Sequence, residues 1–108
     1  MSMTNAPSTI ARMDDAINRD DLDEVAALLK AGVDPNARDV AGDPLLINAA
    51  WIGSPSIVNL LLQAGADPLL RDRDGLTALE RLMQNTEYWD EGHDQVKQIL
   101  EQFSSAKH

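Results

Sequence analysis

The sequence contains no cysteine. That excludes a disulfide framework, thiolate zinc ligation and a thiol nucleophile, and it fits a reducing compartment. Aromatic residues are scarce: Trp51, Tyr88, Trp89 and Phe103 are the full set in 108 residues. Basic residues are also few, with 9 Lys and Arg against 18 Asp and Glu, for a formal net charge of −9. A surplus of acid is the wrong sign for phosphate backbones and for anionic lipid surfaces, so no nucleic acid and no membrane is expected as a partner. No apolar run approaches the roughly 18 residues of a membrane span. Residues 1–15 lack the basic-then-apolar order of a secretory signal. At 44% apolar residues the chain is not a disordered acidic tail. The expectation is one small, acidic, cytoplasmic domain.

What the sequence does have is an internal repeat. Residues 28–39, LLKAGVDPNARD, return as LLQAGADPLLRD at residues 61–72, an offset of 33. Leu28, Leu29, Ala31, Gly32, Asp34, Pro35, Arg38, Asp39 and Gly42 each find an identical residue 33 positions on, without a gap. A fixed period of this length is the mark of a stacked repeat architecture.

Each unit reads as two short helices. In the middle unit Asp43-Pro44 has the form of a helix start, with a helix to about Trp51 that Gly53 ends. Ser54-Pro55 repeats that start for a second helix, apolar at Ile57, Val58, Leu60, Leu61 and Leu62. Gly65 stands where a left-handed residue closes a helix. In the first unit Ile10, Met13, Ala16 and Ile17 share one helical face, and Asp21 with Glu24 has capping-box spacing ahead of Leu22–Leu29. The third unit predicts helices from Ala78 to about Asn85 and from Asp94 to Phe103, with Val96, Ile99, Leu100 and Phe103 on one core stripe. Gly53 and Gly92 are 39 residues apart, so the third unit carries six inserted residues around Tyr88 and Trp89.

These residues resemble the ankyrin repeat, whose unit runs G-x-T-P-L-H-x-A-A-x-x-G-H, an apolar helix, then L-L-x-x-G-A-D-x-N. The middle unit reads GDPLLINAAWIGSPSIVNLLLQAGADPL from Gly42; the third reads GLTALERLM from Gly75 and recovers Gly92-His93. The resemblance covers about residues 9–103 and implies an all-α solenoid of about three helix-turn-helix units joined by short extended connectors. The implied units are 9–38, 39–71 and 72–103, flanked by a loose N-terminus at 1–8 and a tail at 104–108. Pro44-Leu45-Leu46-Ile47 and Thr77-Ala78-Leu79-Glu80 depart from Thr-Pro-Leu-His, so the hydrogen bonds of that Thr and His are expected to be lost or altered.

The resemblance implies a non-enzymatic protein-binding module, needing no cofactor and no metal, that uses its concave face and connector tips. Carried over position by position, the partner-facing residues are Val40, Ala41, Asp43, Trp51 and Ile52 in the middle unit. In the third they are Arg73, Asp74, Leu76, Gln84 and Asn85, and in the first only Asn18 and Arg19. Tyr88 and Trp89 join them through the insertion. Each aromatic has a packing alternative: Trp51 lying over a neighbouring helix, Tyr88 and Trp89 capping the open end of the array. Asp14, Asp15, Asp20, Asp21, Asp23 and Glu24 form a dense acidic stretch. It reads as a solvated face with helix caps, or as a docking patch for a basic partner.

His93 lies among Asp90, Glu91 and Asp94, but that spacing matches no metal-ligand pattern and Gly-His is the ordinary turn of the repeat. No nucleophile-base pattern or phosphate loop is present. A short acidic array also resembles stand-alone bacterial ankyrin proteins, some of which are immunity or inhibitor proteins that neutralise a basic toxin by occlusion. A third reading is a self-associating structural protein, and the expected state is a monomer or a weak homodimer.

Overall fold

The helices form where the caps and periodicities place them. The computed structural model describes residues 6–85 and 88–105. It contains α1 (Pro7–Asn18), α2 (Leu22–Lys30), α3 (Leu45–Ile52), α4 (Pro55–Gln63), α5 (Ala78–Met83) and α6 (Glu91–Ser105). The Asp21 carboxylate accepts from the Glu24 N–H and starts α2; the Ser54 hydroxyl accepts from the Ile57 N–H and starts α4. Gly53 closes α3 at φ +80°, and Gly32 and Gly65 follow α2 and α4 at φ +106° and +108°.

Several boundaries differ from the sequence expectations. Helix α1 begins at Pro7, inside the segment 1–8 expected to be loose, because Pro7 supplies a favourable first helical residue. Asp43 does not cap α3: Pro44 is the capping residue, without a side-chain bond. Helix α5 stops at Met83, before Asn85. Helix α6 starts at Glu91 and takes in Gly92 and His93, which are therefore helical rather than a turn. The Thr77 hydroxyl keeps its bond, in a reciprocal capping box with Glu80, although the middle unit has none at Pro44.

The helices stack as two rows. The inner row is α1–α3–α5, the outer row α2–α4–α6, and contacts run along and between the rows. One core, including Met13, Ile17, Leu45, Ile57, Leu61, Leu82, Val96 and Leu100, runs through all three units. The molecule extends 41 × 29 × 24 Å, and no helix among the described residues is long and apolar enough to cross a membrane.

Equivalent positions differ in burial between the middle and the outer units. Leu45 and Ile57 of the middle unit are fully buried, and their equivalents in the first unit are Arg12 and Glu24, which form an ion pair at 2.7 Å. At the other end, buried Val58 and Leu62 become Lys97 and exposed Glu101. A position buried in the middle unit and open in an outer one is one that a neighbouring unit covers, and at these positions charge replaces apolar surface. Phe103 corresponds to exposed Ala64 and is itself 36% exposed, so the α6 core stripe ends at Leu100.

Candidate protein-binding groove

Two fingers, residues 38–44 and 71–77, project between the helix pairs, each built on one aspartate. Asp39 Oδ1 accepts from the N–H groups of Ala41 and Asp43 at 2.9 and 3.0 Å, and Asp72 Oδ1 from those of Asp74 and Leu76 at the same distances. The second oxygen of each accepts from a residue nine positions on: Asn48 Nδ2 at 3.0 Å for Asp39, Arg81 Nε at 2.8 Å for Asp72. Burial pushes both carboxyls up, but the hydrogen bonds outweigh it: Asn48 and the finger amides for Asp39, the Leu76 N–H and Arg81 for Asp72. Both stay below the usual carboxylate range. Arg38 and Arg71 buttress the fingers by donating to the Gly42 and Gly75 carbonyls at 2.8 and 2.7 Å.

The fingers also bond to each other. Arg38 reaches the Arg71 carbonyl at 2.8 Å, and Asp43 Oδ1 accepts from the Arg73 N–H at 3.1 Å. Lower down, Asn36 accepts from the Asp67 N–H at 2.7 Å and donates to the Gly65 carbonyl at 3.3 Å. These bonds fix the distance between units and make the connectors a stiff comb.

Between comb and inner helices lies a concave groove of two hollows that share Asn18. The first, about 490 Å³, lies against α1 and the tip of the first finger, with Ile10, Asp14, Asp15, Arg38, Asp39 and Val40 in its lining. The second, about 300 Å³, lies against α3 and the second finger, lined by Asp43, Asn48, Trp51, Ile52, Arg73, Asp74 and Arg81 among others.

The predicted residues divide accordingly. Asp43, Trp51, Ile52, Arg73 and Asp74 meet in the second hollow; Val40 lines the first. Trp51 is 45% exposed, whereas Ile52 is half-buried against the core. Ala41 is an exposed finger-tip residue and Leu76 is half-buried at the finger base, its N–H bonded to Asp72. Neither lines a hollow, nor do Gln84 and Asn85 beyond α5. Arg19 is held by Asp15 and Asp21.

Tyr88 and Trp89 are not brought to the groove. Their rings pack on His93, Trp89 tilted at 5.4 Å between centroids and Tyr88 edge-on at 5.7 Å. The Trp89 indole N–H donates to Asp94 Oδ1 at 2.7 Å. His93 is 1% exposed; its Nε2 donates to the Trp51 carbonyl at 3.0 Å, and its Nδ1 lies 2.8 Å from Asp90 Oδ1. The contact with the His93 side chain, then the His93 backbone N–H and the Tyr88 hydroxyl, hold the Asp90 carboxyl below its usual range. Both ring nitrogens are thus committed to protein groups. Sequence reasoning passed over Asn48 and Arg81, whose signal was present: Asn48 is the lone polar residue of α3, and Arg81 stands 33 positions later.

Residues 13–62 match the family model for ankyrin repeats (many copies). The chain belongs to the ankyrin-repeat family. Ankyrin repeats are in general non-enzymatic protein-interaction modules. The chain is 51% identical over 53 residues to the E3 ubiquitin-protein ligase hecd-1 of Caenorhabditis elegans, over 49% of this chain and 2% of the ligase. To the E3 ubiquitin-protein ligase Ufd4 of Drosophila melanogaster it is 38% identical over 80 residues, 74% of this chain and 3% of that protein. To the 2-5A-dependent ribonuclease of Mus musculus it is 44% identical over 63 residues, 57% of this chain and 9% of the ribonuclease. The chain therefore spans less than a tenth of the length of these relatives.

Proposed function

We propose that this ankyrin array binds a partner protein along its concave groove and acts by occupying that partner's surface, without chemistry of its own. The observation that carries the reading is Trp51. Large aromatics are costly to leave half in water, and they dominate the energetics of protein interfaces. Here one of only four aromatics sits 45% exposed on the groove wall. Its backbone is held by His93 and its neighbours Asp72, Arg73 and Arg81 are fixed by the comb. A rigid aromatic anchor loses little freedom on binding.

Affinity capture with the tagged chain followed by mass spectrometry would identify the partner. Trp51→Ala is expected to weaken binding of that partner by more than about 1 kcal/mol, roughly fivefold in Kd, with the urea midpoint nearly unchanged. A large loss of stability with unaltered binding would assign Trp51 to packing and refute the reading. The net charge of −9 favours one version, an occlusive inhibitor or immunity protein for a basic target. A homodimer through Trp51 competes for the same residue; sedimentation at two concentrations separates the two.

A further inference from the structure

The two hollows of the groove differ in how their charges are balanced. In the second hollow Arg81 is paired with Asp72 and Asp74, and Arg73 lies beside Asp43. In the first hollow the pairing fails. Asp14 and Asp39 share one neutral donor, Asn48 Nδ2, at 2.8 and 3.0 Å. An amide satisfies their lone pairs and leaves both charges in place. Of the nearby cations, Arg19 is paired with Asp15 and Asp21 and Arg12 with Glu24, while Arg38 lines the same hollow with its Nη1 turned to the Gly42 and Arg71 carbonyls. Next to this pair of carboxylates stand Val40, fully exposed at the finger tip, and the partly buried Ile10.

We infer that the first hollow receives a basic, partly apolar segment of the partner protein, with a lysine or arginine head on Asp14 and Asp39 and its aliphatic stem on Ile10 and Val40. This rests on the groove being the binding face and adds the chemistry of what it binds. The occupant follows from complementarity. A hollow of about 490 Å³ with an apolar wall and two carboxylates that share one neutral amide, neither in an ion pair, fits a side chain that is apolar along its stem and cationic at its tip. Asp14 carries the mark of an unpaired site: burial, with repulsion from Asp39 and Asp15, keeps its carboxyl above the usual range despite the Asn48 bond. An incoming cation would relieve that repulsion.

The test is fluorescence anisotropy on the full chain with two labelled peptides, one alternating arginine with leucine and one alternating glutamate with leucine. The arginine peptide is expected to bind, more weakly at high salt, and the glutamate peptide not to bind. Asp14→Lys should weaken the arginine peptide about tenfold or more, Asp14→Asn less, and Val40→Ser severalfold at every salt concentration. Asp14→Asn retains a hydrogen-bonding amide or carbonyl for Asn48 and serves as the folded control. Equal binding of both peptides, or indifference to Asp14→Lys, overturns the inference. Displacement by spermine combined with indifference to Val40→Ser also overturns it, since the hollow would then take a small polycation. If the captured partner is weakened by Trp51→Ala but not by Asp14→Lys, the groove reading survives and this inference falls. If neither change matters, both fall.

Discussion

Gly53→Ala is the sharpest probe of how the inserted loop is tied to the array. Gly53 has φ +80°, and a Cβ built there would lie 2.6–2.8 Å from three ring atoms of His93. Two costs add. An L-residue in the left-handed region costs roughly 1–2 kcal/mol. Overpacking a tight site costs about 1–3 kcal/mol more, and His93 cannot swing aside without leaving Asp90 and the Trp51 carbonyl. The expected loss is about 2–5 kcal/mol, a large part of a stability of order 5–15 kcal/mol. Gly65→Ala is the built-in control, because Gly65 has φ +108° with nothing within 4 Å of its added Cβ. It should cost only the conformational part, about 1–2 kcal/mol. Urea unfolding of both variants, then of Gly53→Ala in a His93→Ala background, measures the coupling. With the ring gone, the Gly53→Ala penalty should fall to that of Gly65→Ala. Equal costs for the two glycines in the native background, or an undiminished Gly53→Ala cost without the His93 ring, would refute the wedge.

The finger aspartates, Asp14 and the Arg12–Glu24 pair each give a further expected outcome. Asp39 and Asp72 have folded pKa values below those of an unfolded chain. Their contribution is therefore complete above the unfolded carboxylate value near 4 and is lost as pH falls through the folded values. The urea midpoint should drop below about pH 4, with a shallower fall in Asp72→Asn. Asp14 has the opposite sign, with the folded value raised, so its charge opposes folding above the unfolded value; Asp14→Asn should be no less stable at neutral pH. Replacing the end pair by its middle-unit equivalents, Arg12→Leu with Glu24→Ile, should produce concentration-dependent association in sedimentation, because it restores the apolar surface a neighbouring unit covers. A variant that stays monomeric at high concentration would show that the charged end is not what keeps arrays apart.

Local chemistry was enough to fix the repeat. The 33-residue offset, the glycines that close α2, α3 and α4, and the caps Asp21 and Ser54 act within a few residues of themselves, so they are legible in order along the chain. Trp51 and Ile52 could be assigned to the groove for the same reason: position within a unit dictates which way a residue faces. The structure alone decided what crosses between units. Asn48 bridges to Asp14 over 34 residues, His93 reaches the Trp51 carbonyl over 42, and Arg38 holds the next finger over 33. Gly92 was read as a turn glycine, yet it lies in α6, where a Cβ would strike the Gly53 carbonyl. Tyr88 and Trp89, which the sequence left open between a binding face and packing, set their rings against His93. None of these partners is set by sequence periodicity, because a hydrogen bond or close approach between stacked units depends on how the units are spaced. Which acids serve the fold and which are left lining the groove was decided at that level.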